Sequence, residues 1–265
     1  MEYKNLILEK QDSVAVITLN RPEKLNALNR DLQDEINAIC EEMRWDDSVR
    51  AVVFTGAGRG FCSGADLTGG RRGEPQEPTR REMVDEYSWV GRLAKSVYGL
   101  DKPTIAAVNG VAAGAGMSIS LACDVRVGCS KSRFKTVFIE RNLSPDSGMT
   151  YFLPRIVGIS RAFDLCMTSR NVEAEEAYRI GLLDRLVEDD KLLESAVELG
   201  RQFAFGPPIA VTMTKRALQR SLDSTFDDQL RYEIVAISHG RRAVHDAQES
   251  ALSFRENRRP VFTGH

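Results

Sequence analysis

The 265-residue sequence predicts an α/β fold followed by a helical C-terminal region. Short, continuous apolar runs at residues 51–55 and 104–108 indicate strands buried on both faces, which is typical of parallel sheets with crossover helices. Segments with apolar residues at helical spacing lie between such runs, and after Asp189 the pattern is almost wholly helical. We therefore predict two domains, a core at residues 1–190 and a helical region at residues 191–265.

The N-terminal segment predicts a hairpin and then a helix. Residues 6–20 indicate two strands that turn at Gln11 and Asp12, and Pro22 breaks the second strand. Asn29 is a suitable N-cap for the helix that follows. The apolar residues of this helix recur at helical spacing: Leu32, Ile36, Ile39, Cys40 and Met43.

Residues 67–81 (LTGGRRGEPQEPTRR) change character abruptly, because glycines, prolines and charges replace the apolar pattern. Such a composition predicts a long loop. A long loop inside a compact domain is typical of an active-site lid, and a plain surface insertion is the alternative. Apolar residues at helical spacing then predict an amphipathic helix at residues 83–97, which leads into the strand at 104–108.

The second half of the chain predicts a few strands and then helices. Residues 124–129 and 133–139 indicate two strands, and three helical blocks follow at 192–204, 207–222 and 226–257. The apolar faces of these helices are larger than a small tail needs, which indicates packing across a subunit boundary. The alternative is that they cover the core of their own chain.

Composition and charge exclude several classes of protein. The net charge is −2, so the chain lacks the basic character of a nucleic-acid-binding or membrane-surface protein. Hydrophobic residues make up 42% of the chain, as in ordinary soluble proteins, and no apolar run approaches the about 20 residues that span a bilayer. The N-terminus carries charges where a signal peptide needs apolar residues, so we expect a cytoplasmic protein.

The cysteines and histidines disfavour metal and triad chemistry. The five cysteines are scattered without a CxxC pair, which indicates reduced thiols and no zinc site. The three histidines, His239, His245 and His265, all lie near the C-terminus. We therefore predict no metal site and no histidine-based triad.

The stretch at residues 103–128 (PTIAAVNGVAAGAGMSISLACDVRVG) is the most informative part of the chain. Residues 104–108 indicate a buried strand and residues 117–122 a buried helix, with a linker made almost only of Gly and Ala. A helix that opens from such a linker presents unpaired N–H groups to whatever approaches it. These groups can bind a phosphate, or they can stabilise an oxygen that becomes negative during a reaction.

A second glycine-rich turn, GAGRGFCSGADL at residues 56–67, also follows an apolar strand. Neither turn ends in the GK[ST] of a phosphate-binding loop, and neither has the context of a dinucleotide-binding fingerprint. If the two turns converge, each contributes one backbone N–H to a single carbonyl oxygen. Such a pair of donors is an oxyanion hole, in which each donor is typically worth about 10²–10³ in rate.

Five segments, in the same order along the chain, carry a family resemblance. They are VAVITLNRPEKLNAL, RAVVFTGAGRGFCSGADL, KPTIAAVNGVAAGAGMSISLACDVRV, SPDSGMTYFLPRIVG and FRENRRPVFTGH. With them the chain resembles the enoyl-CoA hydratase/isomerase (crotonase) superfamily over nearly its full length. The resemblance implies an α/β crotonase (ClpP-like) spiral of ββα units, with a C-terminal helical region that assembles trimers or dimers of trimers. It also implies an acyl-CoA substrate held as its thioester enolate forms, with coenzyme A present only as part of that substrate and no separate cofactor.

The resemblance assigns roles to individual residues. It implies that the backbone N–H groups of Ala65 and Ala115 are the oxyanion donors. The residues implied to contact coenzyme A are Lys24, Ala27, Ser63, Asp66 and Leu67. Basic and aromatic residues of the tail are implied to reach the coenzyme A of a neighbouring subunit, namely Phe254, Arg258, Arg259 and Phe262. An ordinary solvated lysine at position 24 and a solvated basic tail are the alternatives.

Two departures from the family pattern change the expected chemistry. Hydratases of this family carry two glutamates, and the matching positions here hold Ser118 and Phe138. Two carboxylates are needed to activate water while protons are exchanged at the α-carbon. The resemblance therefore implies that the standard hydratase site is missing.

One carboxylate remains at a position that works in some relatives. Asp146, within SPDSG, matches the aspartate of relatives such as dienoyl-CoA isomerases, and the alternative is that it only shapes a turn. Glu140 is the rival base, because on a strand it would share a face with Phe138. A dehalogenase would also need a histidine within residues 83–98, where none occurs.

A single carboxylate suits isomerisation, which needs neither water nor a second acid. We therefore expect an enoyl-CoA isomerase that shifts a double bond through an enolate, with Asp146 as the proton carrier. An enoyl-CoA hydratase with an atypical site and a non-catalytic acyl-CoA-binding protein are the alternatives.

Overall fold

A computed structural model of the chain describes residues 3–68, 77 and 79–265. The predicted loop at residues 67–81 therefore lies largely outside the described residues. The strands are β1 Leu6–Gln11, β2 Val14–Leu19, β3 Ala51–Gly56, β4 Gly60–Cys62, β5 Thr104–Val108, β6 Val111–Ala113, β7 Val125–Gly128, β8 Arg133–Lys135, β9 Val172–Glu173 and β10 Arg185–Leu186. The helices are α1 Arg30–Trp45, α2 Arg80–Met83, α3 Ser88–Tyr98, α4 Ala115–Ala122, α5 Met149–Val157, α6 Ile159–Thr168, α7 Ala174–Arg179, α8 Leu192–Ala204, α9 Pro208–Ser221, α10 Phe226–Gly240 and α11 Val244–Arg255.

The chain forms two sheets, and from β3 to β8 successive strands along the chain alternate between them. The larger sheet has the order β1-β2-β3-β5-β7-β10 and the smaller one β4-β6-β8-β9. Strands β2, β3, β5, β7 and β10 run parallel, whereas β1 is antiparallel to β2. The chain places a strand in the larger sheet and a short strand in the smaller sheet before it becomes helical: β3 and β4 precede α2 and α3, and β5 and β6 precede α4. The predicted α/β spiral of ββα units is confirmed.

The larger sheet is buried on both faces, which explains the continuous apolar runs of its strands. Every residue of β3 and β5 is buried. Val52 and Phe54 face the core that α1, α3 and α4 cover, whereas Ala51 and Val53 face α8. The first helix after residue 190 thus covers the core of its own chain, and the predicted domain boundary stays a prediction.

Three predicted elements differ from the observed ones. The strand predicted at residues 133–139 ends at Lys135, because Val137 adopts the left-handed φ of 57° and a 3-10 helix follows. The helix predicted at residues 83–97 is divided into α2 and α3, and Ser88 at the start of α3 has a φ of 53°. The last helical block divides into α10 and α11.

An ion pair between the buried Lys215 and the more exposed Asp124 attaches the C-terminal helices to the core. Lys215 of α9 is 7% exposed, and its Nζ lies 2.8 Å from Oδ2 of Asp124 and 2.9 Å from the carbonyl oxygen of Lys102. Replacing Lys215 removes a buried charge together with its hydrogen bonds to Asp124 and to the main chain. The pair therefore makes the docking of α9 sensitive to a single side chain.

We expect Lys215→Met to lower the free energy of unfolding by about 2 kcal/mol, the usual value of hydrogen bonds to a charged group, because the ammonium contacts with Asp124 and Lys102 O are lost. The loss stays moderate because Asp124 is exposed and keeps hydrogen bonds from the Thr104 N–H (2.7 Å) and hydroxyl (2.9 Å). Urea unfolding measures the change. Lys131→Met is the control, because Lys131 and Asp189 form an exposed pair, and such pairs contribute little to stability. Equal unfolding midpoints for both variants would contradict the prediction.

Candidate active site

The two glycine-rich turns converge at one edge of the smaller sheet. Strands β4 and β6 pair in parallel, so the turns that follow them leave the sheet at the same edge. Gly64 in the first turn has a φ of 94°, and Gly114 in the second a φ of 52°. A Cβ atom on Gly64 would lie 2.8 Å from the carbonyl oxygen of Ala113 and 3.7 Å from the nitrogen of Ala115. The two turns therefore converge in the structure, which is the condition that an oxyanion hole built from both of them requires.

Ala65 and Ala115 both present free N–H groups. Ala65 forms an isolated parallel bridge with Leu28, in which the Leu28 N–H donates to Gly64 O and the Asp66 N–H donates to Leu28 O. The N–H of Ala65 itself therefore points away from Leu28. Ala115 is the first residue of α4, so its N–H has no acceptor within the helix. Neither N–H donates to another group of the described residues.

Close backbone packing explains the small residues around Ala115. A Cβ atom on Gly116 would lie 2.2 Å from the carbonyl oxygen of Cys62, a distance that no side chain tolerates. Helix α4 therefore rests directly on the main chain of β4. This contact holds the start of α4 beside the turn that carries Ala65.

Asp146 lies in the turn before α5 and reaches the beginning of α4. The hydroxyl of Ser118, in the first turn of α4, donates to the main-chain oxygen of Asp146 at 3.3 Å. The Asp146 side chain is half-buried, and its Oδ1 accepts a hydrogen bond of 2.9 Å from the hydroxyl of Ser147. Burial raises the pKa of Asp146, and the Ser147 hydrogen bond opposes that rise only in part.

Ser118 and Phe138, which the family resemblance matches to the two hydratase glutamates, both lie near the start of α4. Ser118 is buried, and Phe138 is 5% exposed. A Cβ atom on Gly114 would lie 4.0 Å from Cζ of Phe138, so this ring packs against the turn that precedes Ala115. The start of α4 thus faces an aromatic ring and a hydroxyl at these two positions.

The rival base Glu140 is placed differently from the prediction. Its residue lies in the 3-10 helix Ile139–Arg141 rather than on a strand, because the chain turns at Val137. Its carboxylate is exposed and pairs with Nζ of Lys135 at 2.7 Å. The Lys135 hydrogen bond lowers the pKa of Glu140. The shared face with Phe138 on which this alternative depended is therefore wrong.

The residues predicted to contact coenzyme A lie on two chain segments, one after β2 and one after β4, that are joined by hydrogen bonds. The exposed Lys24 has its Nζ 3.4 Å from the hydroxyl of Thr68, and its carbonyl oxygen accepts from the hydroxyl of Ser63 at 3.3 Å. Ala27 is buried, whereas Leu67 is exposed. The structure therefore brings the segment after β2 beside the segment after β4.

Arg21 joins these segments, and sequence reasoning missed it. Its guanidinium forms an ion pair of 2.8 Å with Oδ2 of Asp66 and donates to the carbonyl oxygen of Ala27. Hydrogen bonds from Thr68, and then the Arg21 guanidinium, hold the pKa of Asp66 well below its usual range. Asp66 is thus held in place next to Ala65.

Asn26 was missed as well. It is fully buried, and its Nδ2 donates to the carbonyl oxygens of Ala57 (3.0 Å) and Gly60 (2.8 Å). Its Oδ1 accepts from the N–H of Arg21 at 2.8 Å. The motif NRPEKLNAL could have indicated both Arg21 and Asn26, because they are polar residues that flank Lys24.

The C-terminal tail folds back onto its own chain. Arg258 pairs with Glu249 at 2.6 Å, and the guanidinium of Arg259 lies 4.4 Å from the ring centre of Phe205. Phe254 is 87% exposed, and the carbonyl oxygen of Phe262 accepts from another residue of the same chain. The predicted reach of these residues to a neighbouring subunit stays a prediction.

Among the described residues, no helix has the length and apolar character needed to cross a bilayer. The same part of the chain contains no group of three or more His, Cys, Asp or Glu side chains that could hold a metal ion.

Comparison with known proteins places the chain in a family. The model of the enoyl-CoA hydratase/isomerase family matches residues 9–265. A short-chain-enoyl-CoA hydratase from Clostridium acetobutylicum is 36% identical over 98% of this chain and 97% of its own length. A 1,2-epoxyphenylacetyl-CoA isomerase from Escherichia coli K12 is 34% identical over 96% of each protein.

The fold comparison agrees with the sequence comparison. The crystal structure of a putative enoyl-CoA hydratase from Streptomyces coelicolor A3(2) superposes with a TM-score of 0.91 at 36% identity, covering 100% of this chain and 96% of its own. The predicted fold class and the predicted superfamily are both confirmed. The chain is therefore an enzyme of the enoyl-CoA hydratase/isomerase family with the crotonase fold.

Proposed function

We propose that the protein is an enoyl-CoA isomerase that moves a double bond within an unsaturated acyl-CoA thioester. The observation that carries the proposal is a single half-buried carboxylate, Asp146, next to the helix whose first N–H is free. Ser118 and Phe138 occupy the places of the two hydratase glutamates. Asp146 is therefore our candidate for the group that carries the proton, because neither of those two positions holds a carboxylate.

The proposed reaction is a proton transfer in two steps. The Asp146 carboxylate takes a proton from the α-carbon of a 3-enoyl-CoA, and the electron pair of the broken C–H bond forms a dienolate. The negative charge on the thioester oxygen is stabilised by the N–H groups of Ala65 and Ala115. Asp146 then returns the proton to the γ-carbon, which yields the 2-enoyl-CoA and restores the carboxylate.

The environment of Asp146 supports this role. A base that takes a proton from carbon works best when its pKa lies near the working pH, and burial raises the pKa of Asp146 in that direction. The ring of Phe138, which packs against the turn before Ala115, offers no hydrogen bond to water. An apolar surface at this place favours a reaction that transfers a proton without water.

The direct test compares two substrates. The enzyme is incubated separately with 3-hexenoyl-CoA and 2-hexenoyl-CoA in ¹⁸O-labelled water. Chromatography against both standards separates the two isomers, and mass spectrometry detects any gain of mass or label. We expect conversion of the 3-enoyl to the 2-enoyl thioester without gain of mass or label. A labelled hydroxyacyl product formed at an ordinary rate would overturn the proposal, and binding without turnover would indicate a non-catalytic protein.

Hydration is the second candidate function, because the relative from C. acetobutylicum is named a hydratase. Of the two candidate carboxylates, Asp146 would have to activate the water, since Glu140 is exposed and paired with Lys135. The labelled-water experiment separates the two reactions in one measurement.

We also propose that coenzyme A, as part of the substrate, lies along the surface formed by Lys24, Ala27, Ser63, Asp66 and Leu67. The exposed ammonium group of Lys24 supports an interaction with the phosphates. We expect Lys24→Met to raise the KM for acyl-CoA several-fold and to leave kcat unchanged, because a phosphate contact is equal in the ground and transition states. Steady-state kinetics at low salt measures both values, and an unchanged KM would contradict the contact.

A trimer or a dimer of trimers is the proposed assembly. The supporting observation is that the C-terminal helices expose large apolar side chains: Phe226, Leu230, Ile234, Val235 and Ile237. Contiguous apolar surface of this kind is typical of protein interfaces. Light scattering of the purified protein measures the mass, and a monomer at micromolar concentration would contradict the proposal.

A further inference from the structure

Ser147, the residue after the proposed base, has an unusual backbone conformation. Its φ is 51°, in the left-handed region that residues with a side chain rarely adopt. The next residue, Gly148, has a φ of 82°, and a Cβ atom there would lie 2.4 Å from Cε2 of Phe152. Steric need accounts for the glycine at position 148. Local geometry would equally favour a glycine at position 147, yet the chain has a serine there.

The hydroxyl of Ser147 has one partner. The residue is 4% exposed, and its Oγ donates to Oδ1 of Asp146 at 2.9 Å, which is its one hydrogen bond within the described residues. The bond occupies one carboxylate oxygen and leaves Oδ2 without a described partner. A disfavoured backbone conformation that places a buried hydroxyl on a carboxylate is the kind of local strain that accompanies function.

We propose that Ser147 is a positioning residue whose hydroxyl fixes the Asp146 carboxylate in the orientation and ionised form that accepts a proton at Oδ2. The inference rests on the proposed function of Asp146 as the base. It adds a second residue to the proton-transfer group, acting through Asp146 rather than on the substrate.

The groups around Asp146 determine how strongly the Ser147 hydroxyl affects the ionisation of its carboxylate. From α4, Ser118 donates to the main-chain oxygen, and the Met149 N–H at the start of α5 donates to the same oxygen. No charged side chain of the described residues contributes to the pKa of Asp146, which burial raises and the Ser147 hydrogen bond lowers. Among the described residues, Ser147 is thus the group that favours the ionised carboxylate.

Removal of the Ser147 hydroxyl is expected to change the pKa of Asp146 in one direction. Without the Ser147 hydrogen bond, burial acts unopposed and the pKa of Asp146 rises further. The base works only when deprotonated, so kcat/KM is lost below that pKa. The acid limb of the pH–rate profile therefore moves to higher pH when the hydroxyl is removed.

The test uses Ser147→Gly and Ser147→Ala, with kcat/KM for 3-hexenoyl-CoA isomerisation measured across the pH range. We expect the acid limb of both variants to lie at higher pH than that of the wild type, with a several-fold loss of rate on the acid side. The glycine variant also relieves the left-handed strain, so its thermal midpoint should be equal to or above the wild-type value. A merely structural serine would not combine unchanged stability with a shifted pH profile.

The control is Ser120→Ala, which removes another buried hydroxyl, one that donates to Met117 O at 2.7 Å within α4. Its acid limb should match the wild type. A wild-type acid limb in either folded Ser147 variant overturns the inference. Asp146→Asn separates this failure from that of the proposed function: if that variant keeps the wild-type rate, Asp146 is not the base. If it is inactive while the Ser147 variants are normal, only the inference about Ser147 fails.

Discussion

Replacing Asp146 with Asn is expected to lower kcat for isomerisation of a 3-enoyl-CoA by about 10²–10⁴-fold, the usual contribution of a general base. The amide has the shape of the carboxylate but cannot accept the proton. The hydrogen bond from Ser147 can still form to the amide oxygen, so the turn before α5 is retained. The KM should change little, because the acyl-CoA is held by other groups.

Stability separates loss of the base from loss of the fold. Burial raises the pKa of Asp146 above that of a carboxyl group in the unfolded chain. The folded state therefore binds the proton more tightly, and the contribution of Asp146 to stability falls as pH rises between the two pKa values. At neutral pH the wild type carries the cost of a buried charge that Asn lacks. Asp146→Asn should thus unfold at the same temperature as the wild type or higher.

Glu140→Gln is the matched control, because it makes the same change of carboxylate to amide a few residues away. Glu140 is exposed, and its carboxylate pairs with Lys135 at the surface. We expect a wild-type rate for this variant. A large loss of rate in Glu140→Gln, together with normal activity in Asp146→Asn, would show that our proposal assigns the proton transfer to the wrong carboxylate.

The parts of the fold that depend on local pattern could be predicted from the sequence. Strand β3 and strand β5 are continuous apolar runs and are buried on both faces. Asn29 caps α1 by accepting from the Leu32 N–H at 2.9 Å, as its position before an apolar periodic segment indicates. The glycines of the two turns likewise predict close contacts between backbone segments.

The errors and omissions arise where distant residues decide the outcome. The β8 strand ends early because Val137 takes a left-handed conformation, which no propensity of valine would indicate. This single residue moves Glu140 away from the face on which the sequence pattern placed it. The ion pair between Arg21 and Asp66 joins residues 45 positions apart, so no local spacing rule could find it.

The proposed oxyanion donors need a different kind of test, because they are main-chain groups that no side-chain deletion removes. Their separation depends on the contact between the turn at Gly64 and the end of β6. A Cβ atom on Gly64 would lie 2.8 Å from the carbonyl oxygen of Ala113, a backbone atom that cannot rotate away. Gly64→Ala therefore has to move one turn relative to the other, and with it the N–H of Ala65 relative to that of Ala115.

We expect Gly64→Ala to lower kcat by about 10²–10³-fold, the value of one oxyanion donor, while the affinity for free coenzyme A changes little. The reason is that the donors act most strongly on the charge that develops in the transition state. Kinetics gives kcat, and calorimetry gives the affinity for coenzyme A. A loss that appeared only in the binding of coenzyme A would assign Gly64 to the surface that binds coenzyme A instead of the oxyanion hole.

Gly158→Ala provides the matched control for backbone strain. Gly158 also has a positive φ, 84° against 94° for Gly64, but a Cβ atom there meets no other atom within 4 Å. Both substitutions therefore place alanine in a disfavoured conformation, and only the one at Gly64 forces the two turns apart. Equal activity in the two folded variants would show that the relative position of the turns does not limit the reaction. A much lower kcat in Gly64→Ala alone would tie catalysis to the geometry of the Ala65 and Ala115 N–H groups.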